Sequence, residues 1–309
     1  MTQEAKKKSR IFNYFTEKEE QFSGGVAWCA GCTLELTARF IPKVLGKDIV
    51  LVGCPSCSAT VLYGQNTGTW HKLAYYSCLM TGVASSATGI SRYLRRIGKE
   101  APVVCFTGDG CAADIGFQPL SGAAERNEHI IYICYDNEGY MNTGYQRSST
   151  TPLGASTSTT PFGRISKGKP TPAKNVPMIM AMHNVPYVAT ATLSNLEDFA
   201  KKLLKAKERL NEGFSYIHVL APCVMGWRFD SSLSIEVCRM AVRTNYFPLW
   251  EAEGGKFRLT QEVNNPKPIQ ELTKLVRKFS HLKEPDLNKL QQIVDERYAF
   301  LKGLCAIRS

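Results

Sequence analysis

The sequence predicts an α/β protein built on a doubly wound parallel sheet, with a C-terminal helical extension. Three observations carry this expectation. Apolar runs such as Val103-Val104-Cys105-Phe106 and IIYICY at 130–135 read as strands buried on both faces, because they are continuous rather than alternating. They alternate along the chain with stretches of helical period, the pattern of a parallel sheet with crossover helices. Both runs also end on small or oxygen-bearing residues, Gly108-Asp109-Gly110 and Asp136-Asn137, at strand ends where doubly wound sheets bind their ligands.

The elements follow in order. Residues 1–24 are expected to form an irregular arm, 25–230 the main domain and 231–309 a C-terminal extension. CAGC at 29–32 opens a helix marked by Leu34, Leu36, Phe40, Ile41 and Val44, and DIVLVG at 48–53 is a short buried strand. Small residues over 73–97, ending in Arg92, Arg95 and Arg96, predict a closely packed helix that stops at Gly98. The strand at 103–108, a helix over 114–126 and the strand at 130–135 come next. The segment from 139 to about 175 is rich in Pro, Gly, Ser and Thr and is too long for a mere connection. VPMIMAMHNV reads as a helix, YVATAT as a strand, LEDFAKKLLKAKERL as an amphipathic helix with an acidic first turn, and SYIHVLAPC at 215–223 as the last core strand. Beyond 230 the pattern is helical and more charged.

Composition narrows the function. Hydrophobic residues at 44% and charged residues at 21% describe an ordinary globular protein. The chain contains no apolar run of about 18 residues, so no membrane span is expected. The basic N-terminus lacks an apolar signal core, which predicts a cytoplasmic protein. The net charge of +11 is dispersed among acids, without the Arg-rich or aromatic-basic arrays of a nucleic-acid binder. It concentrates only in 139–196, which holds Arg147, Arg164, Lys167, Lys169 and Lys174 and no acid. That stretch suits an anionic cofactor, an acidic substrate or an acidic partner, or is simply a solvated loop.

The chemistry-bearing residues form two groups. Asp109 and Asn137 are hard oxygen donors suited to Mg²⁺, which takes a few protein oxygens together with phosphate oxygens. The flanking Gly108 and Gly110 let a bulky diphosphate approach the backbone. The second group comes from the 11 cysteines, a count that suggests metal binding in a reducing compartment. Cys29-x-x-Cys32 and Cys54-x-x-Cys57 have zinc-ribbon spacing; the alternative is a [4Fe–4S] cluster that recruits the later Cys223. Cys105, Cys134, Cys238 and Cys305 are expected to be structural, as are the scattered His71, His129, His183 and His218. Asp114 follows the GDG motif and Glu138 follows Asn137; both are explained equally well by capping or packing.

GDG followed by Asn137 resembles the diphosphate-binding pattern of thiamine diphosphate enzymes. With the N-terminal CxxC, GDG-x-x-x-DIG, DNEGYMNTGYQRSSTTP and the late APC, the chain resembles the thiamine-binding β subunit of 2-oxoacid:ferredoxin oxidoreductases, most closely the pyruvate enzymes, over roughly 22–255. The resemblance implies a thiamine diphosphate-binding fold. It implies one [4Fe–4S] cluster on Cys29, Cys32, Cys57 and Cys223, and Mg²⁺ on Asp109, Asn137 and the backbone carbonyl of Gly139. Gly108, Gly110 and Thr143 would complete the cofactor pocket, with Asn142 near the thiazolium ring. The reaction implied is oxidative decarboxylation with ferredoxin as the electron acceptor. Pyruvate is the first-choice substrate, with coenzyme A as acetyl acceptor; oxalate, which needs no coenzyme A, is the alternative. The glutamate that activates the cofactor and further clusters would come from partner subunits, an α/γ chain and a ferredoxin-like chain. Three departures stand out: Thr33 after CAGC, Cys54 ahead of Cys57, and Cys111 with Ala113 where the family carries bulkier residues. Two other classes remain beside this one, a zinc-ribbon interaction protein and a thiamine-dependent decarboxylase without redox function.

Overall fold

The computed structural model describes residue 14 and residues 19–62 and 71–307, so most of the arm expected over 1–24 lies outside the described residues. Among them, eight strands form one sheet: β1 (Val50–Gly53), β2 (Ala74–Ser77), β3 (Val103–Gly108), β4 (Ile131–Asp136), β5 (Tyr187–Thr192), β6 (Ser215–Leu220), β7 (Leu249–Glu253) and β8 (Lys256–Gln261). Their order across the sheet is β2-β1-β3-β4-β6-β5-β7-β8. The first six run parallel; β7 pairs antiparallel with β5, and β8 with β7.

Double-sided burial explains the continuous apolar runs. Along β3 and β4, Val104, Phe106, Ile131 and Ile133 enter one core with Leu34 and Phe40 of α1 (Thr33–Leu45). The alternate residues, Val103, Cys105, Tyr132 and Cys134, enter the opposite core with Val83 and Ala87 of α2 (Val83–Arg96) and Leu120 of α3 (Phe117–Glu125). Met180 of α4 (Val176–Ala181) joins this second face, and Phe199 and Leu203 of α5 (Leu196–Glu208) join the first. Burying each such side chain contributes about 1.5–3 kcal/mol. The chain steps from β1 outward to β2 and then back across to β3. The carboxyl ends of β1, β3, β4 and β6 therefore face one crevice at a topological switch point.

Three expectations are corrected. The helix predicted over 73–97 begins only at Val83; Ala74-Tyr75-Tyr76-Ser77 is an edge strand on β1. Its aromatic residues favour a strand, but half-exposed packing gives no apolar run to read. The extension after 230 contains helices α6 (Ser234–Arg243) and α7 (Glu284–Ala306) as expected, but it also supplies β7 and β8. The helix expected over 114–126 starts later, at Phe117, after a wide turn over Gly110–Ile115. Among the described residues no helix is long and apolar enough to cross a membrane.

Candidate functional site

Asp109 leaves the end of β3 fully buried, and Asn137 and Glu138 follow the end of β4. The Asn137 backbone N–H donates to Asp109 Oδ1 at 3.3 Å, which locks the two strand ends together. The Asn137 side-chain oxygen stands 2.8 Å from the carbonyl oxygen of Gly139 and 3.0 Å from Asp109 Oδ1. Turned over, the amide would donate to both oxygens, the arrangement that suits a site with nothing in it. With the oxygen inward, three oxygens converge as a donor set of the kind a hard cation takes. Neighbouring ligands of an octahedral Mg²⁺ at about 2.0–2.1 Å lie about 2.9 Å apart, which matches this spacing. Burial and the nearby Asp136 carboxylate push the Asp109 carboxyl well above the usual carboxylate range. A bound cation offsets both effects.

Six of the seven predicted cofactor residues, Gly108, Gly110, Asn137, Gly139, Asn142 and Thr143, line one cavity of about 160 Å³, whereas Asp109 lies fully buried behind its wall. Gly139 has no room for a side chain: a Cβ there would sit 2.7 Å from the Tyr145 ring and 2.9 Å from the Gln146 carbonyl oxygen. Among the residues lining this cavity there is no Glu.

A polar network supports this loop from behind. Ser148 Oγ donates to Asp109 Oδ2 at 2.5 Å, and Thr150 Oγ1 lies 2.9 Å from Asp109 Oδ2 and 2.8 Å from Asp136 Oδ1. Asp136 Oδ2 meets His218 Nε2 at 2.8 Å, and His218 Nδ1 meets the Tyr216 hydroxyl at 2.8 Å. Burial opposes ionisation of Asp136, but the hydrogen bond and charge of His218 outweigh it and hold the carboxyl low. Asp114 accepts from the Ser149 N–H at 3.1 Å, a packing role. In the basic stretch, Lys169 is buried and donates to the carbonyls of Thr151 (2.6 Å) and Pro172 (2.9 Å), so it ties down the loop, whereas Arg147, Arg164 and Lys167 are exposed.

The four cysteines Cys29, Cys32, Cys57 and Cys223 line a second cavity of about 210 Å³. It abuts the first, and Cys57, Asn137, Met141 and Asn142 line both. Cys29 and Cys32 lie in the turn before α1, closed by a Cys32 N–H to Cys29 carbonyl bond of 3.0 Å. Cys57 follows β1, its carbonyl bonded by Trp28 Nε1 and Thr60 Oγ1, both at 2.8 Å. Cys223 follows β6 and caps the turn Val224–Trp227, its sulfur accepting from the Gly226 N–H at 3.3 Å. Thr33, the first departure, donates to the Pro222 carbonyl at 3.0 Å and so joins the CAGC turn to the Cys223 turn. Burial pushes the thiol of Cys32 up to about 11 and that of Cys57 up to about 12. Cationic iron or zinc reverses this bias, since the thiolate is the ligand. Among the described residues no three metal-ligating side chains close on a single point; these thiols surround a space.

Cys54 takes no part in that cavity. It is buried in the opposite core, in one apolar cluster with Cys105 and Cys111. The Cys29/Cys32/Cys54/Cys57 set of the zinc-ribbon reading is therefore not brought together. Gly31 fixes the shape of the CAGC turn: its φ is +73°, and a Cβ there would lie 2.4 Å from the Ser231 carbonyl oxygen. Gly31→Ala is expected to destabilise the chain by roughly 1–3 kcal/mol through overpacking, seen as a lower denaturation midpoint with an unchanged denaturant slope.

Pattern reading missed the residues that hold the loop from the far side. Glu138 adopts a left-handed conformation (φ 64°) that costs a non-glycine residue about 1–3 kcal/mol. Its buried carboxylate accepts from the Tyr246 hydroxyl at 2.6 Å and pairs with the fully buried Lys278. Lys278 Nζ lies 3.0 Å from the centre of the Trp227 ring, and Trp227 Nε1 donates to the Asn137 carbonyl at 2.8 Å.

Comparisons with known proteins agree with this architecture. The family model for the thiamine pyrophosphate enzyme, C-terminal TPP binding domain, matches residues 52–219. The chain is 46% identical over 279 residues to pyruvate synthase subunit PorB of Methanothermobacter marburgensis, covering 90% of this chain and 96% of that one. It is 42% identical over 300 residues to the NADH-dependent phenylglyoxylate dehydrogenase subunit beta of Aromatoleum evansii, covering 96% of this chain and 67% of that one. Among solved structures, a 2-oxoglutarate:ferredoxin oxidoreductase from Magnetococcus marinus shares the fold. Its TM-score is 0.56 at 21% identity, over 89% of this chain and 94% of that one.

Proposed function

The chain belongs to the thiamine diphosphate-binding β subunits of the 2-oxoacid:ferredoxin oxidoreductases, and on that premise we propose that it holds the reacting cofactor and an adjoining [4Fe–4S] cluster in one complex. The observation that carries the reading is the shared wall. The cavity lined by Asn137 and Gly139 of the oxygen triad and the cavity of the four cysteines have Cys57, Asn137, Met141 and Asn142 in common. In this reading Asp109, Asn137 and the Gly139 carbonyl hold Mg²⁺ and through it the diphosphate. Cys29, Cys32, Cys57 and Cys223 hold the cluster. When bound, thiamine diphosphate supplies the electron sink for decarboxylation and the cluster accepts electrons. The chain's own part is to fix the diphosphate, exclude water beneath it with Asp109 fully buried, and keep the two centres adjacent.

Pyruvate, with coenzyme A as acetyl acceptor, is the first-choice substrate, in line with the similarity to the pyruvate synthase subunit. Ferredoxin is the final electron acceptor. The acids beside the oxygen triad are already engaged, Glu138 by Lys278 and Tyr246 and Asp136 by His218 and Thr150. In line with the family resemblance, the activating glutamate is assigned to a partner subunit, and the active site to the interface. The exposed basic residues of 139–196 and the segment after 230 are the proposed docking surfaces.

The test is viologen reduction by pyruvate, by oxalate and by phenylglyoxylate, with the chain alone and with its partner subunits. Turnover only in the complex, with pyruvate and coenzyme A preferred, supports the proposal. Robust turnover by the isolated chain contradicts the shared site, and a preference for oxalate without coenzyme A replaces the substrate. Asn142→Ala, which alters a residue lining both cavities, is expected to lower turnover by up to about a hundredfold by misplacing the reacting groups. Thiamine diphosphate retention should change far less, as checked by assaying bound cofactor after desalting.

A further inference from the structure

The segment after the last parallel strand reaches back under the cation loop. Lys278 lies in a short turn, Arg277–Phe279, far along the chain from Asn137. It is completely buried and makes two contacts at once: an ion pair with Glu138 and a cation–π contact over Trp227. Each partner holds one side of the oxygen triad. Glu138 stands between two of the triad residues, Asn137 and Gly139, and its φ of 64° sets the direction from one to the other. Trp227 donates to the Asn137 carbonyl. The rest of this loop is anchored as well: the Glu138 N–H donates to Asp136 Oδ1 at 2.8 Å, and the Glu138 carbonyl accepts from Thr151 Oγ1 at 2.7 Å. Trp227 also ends the turn that Cys223 caps.

We infer that Lys278 is a positioning residue: through Glu138 and Trp227 it holds the Asn137–Gly139 loop in its cation-binding shape and fixes that loop to the Cys223 turn. This rests on the assignment of the oxygen triad to Mg²⁺. The arrangement explains why a left-handed glutamate is kept where glycine would fit without strain. A glycine there would give up both the ion pair and the Tyr246 bond, leaving Lys278 as an unpaired buried charge.

The experiment titrates Mg²⁺ and thiamine diphosphate into the full chain assembled with its partner subunits and stripped of both, following cofactor binding by calorimetry. Lys278→Met is expected to weaken Mg²⁺-dependent binding by about tenfold to a hundredfold, the usual range for a residue that orients metal ligands. Asp109→Ala is run in parallel. A merely structural lysine would lower the melting temperature and leave the affinity at 25 °C unchanged, and that outcome overturns the inference. Should Lys278→Met not fold because Glu138 is left unpaired, the neutral pair Glu138→Gln/Lys278→Met takes its place. Weakened binding in the folded pair supports the inference, and native affinity overturns it. If Asp109→Ala itself keeps native affinity, the Mg²⁺ assignment has failed. If Asp109→Ala loses binding while the Lys278 variants do not, only the positioning role has failed.

Discussion

Replacing any one of Cys29, Cys32, Cys57 or Cys223 with Ser is expected to remove most of the iron and to abolish ferredoxin reduction. The four side chains line one cavity from two separate strand ends and the turn before a helix, so no single element holds the set. A serine oxygen is a poor substitute because iron–sulfur clusters are held by thiolates. Cys54→Ser is the internal control. Cys54 is buried in the core on the far face of the sheet, so its replacement places a hydroxyl among apolar neighbours and costs about 1–3 kcal/mol of stability, with iron content unchanged. Iron and acid-labile sulfide analysis of the five variants checks both halves. Loss of iron in Cys54→Ser together with full iron in Cys223→Ser would restore the two-knuckle zinc pattern.

Asp109→Ala is expected to weaken Mg²⁺-dependent thiamine diphosphate binding by at least about a hundredfold. Residues that merely orient metal ligands cost about 10–100-fold in affinity when replaced, and Asp109 is the one charged member of the oxygen triad. The effect should be confined to the cofactor, leaving the iron content of the cysteine cavity intact. Native affinity in this variant would show that the triad is an ordinary hydrogen-bonded turn, with the Asn137 amide turned to donate to both oxygens.

What the sequence revealed and what it hid follow from the same physics. The strands β3, β4, β5 and β6 were legible because burial on both faces leaves continuous apolar runs, and the candidate site residues Asp109, Asn137 and Cys223 stood out because they follow the ends of those runs. β2 was misread because an exposed edge strand has no such run. β7 was hidden because Glu251 and Glu253 make Leu249-Trp250-Glu251-Ala252-Glu253 look like part of a charged helix. In the structure Glu251 is buried with the Tyr187 hydroxyl at 2.8 Å and Lys205 at 2.7 Å. His218 was read as structural, and it is buried against Asp136 and Tyr216. Lys278, Trp227 and Tyr246 could not be connected with Asn137 and Glu138 from the sequence. Each contact spans a long stretch of chain and depends on the extension folding back beneath β4, which no local pattern encodes. Two adjacent cations between Leu275-Val276 and Phe279 read as a solvated turn, so nothing in the sequence marked Lys278 as buried.

The central claim is that two centres of different chemistry, a thiamine diphosphate site and a cysteine-held cluster, share a wall in this chain. Anaerobic purification of the complex followed by iron, sulfide, zinc and thiamine diphosphate analysis tests it most directly, with the Cys29→Ser complex as the blank for clusters carried by other subunits. The account predicts that the difference between the two preparations is about four iron and four sulfide per chain, as one [4Fe–4S] cluster requires. It also predicts thiamine diphosphate in both preparations and no zinc in either. Zinc in place of iron in the native complex, or equal iron and sulfide in native and variant, would contradict it.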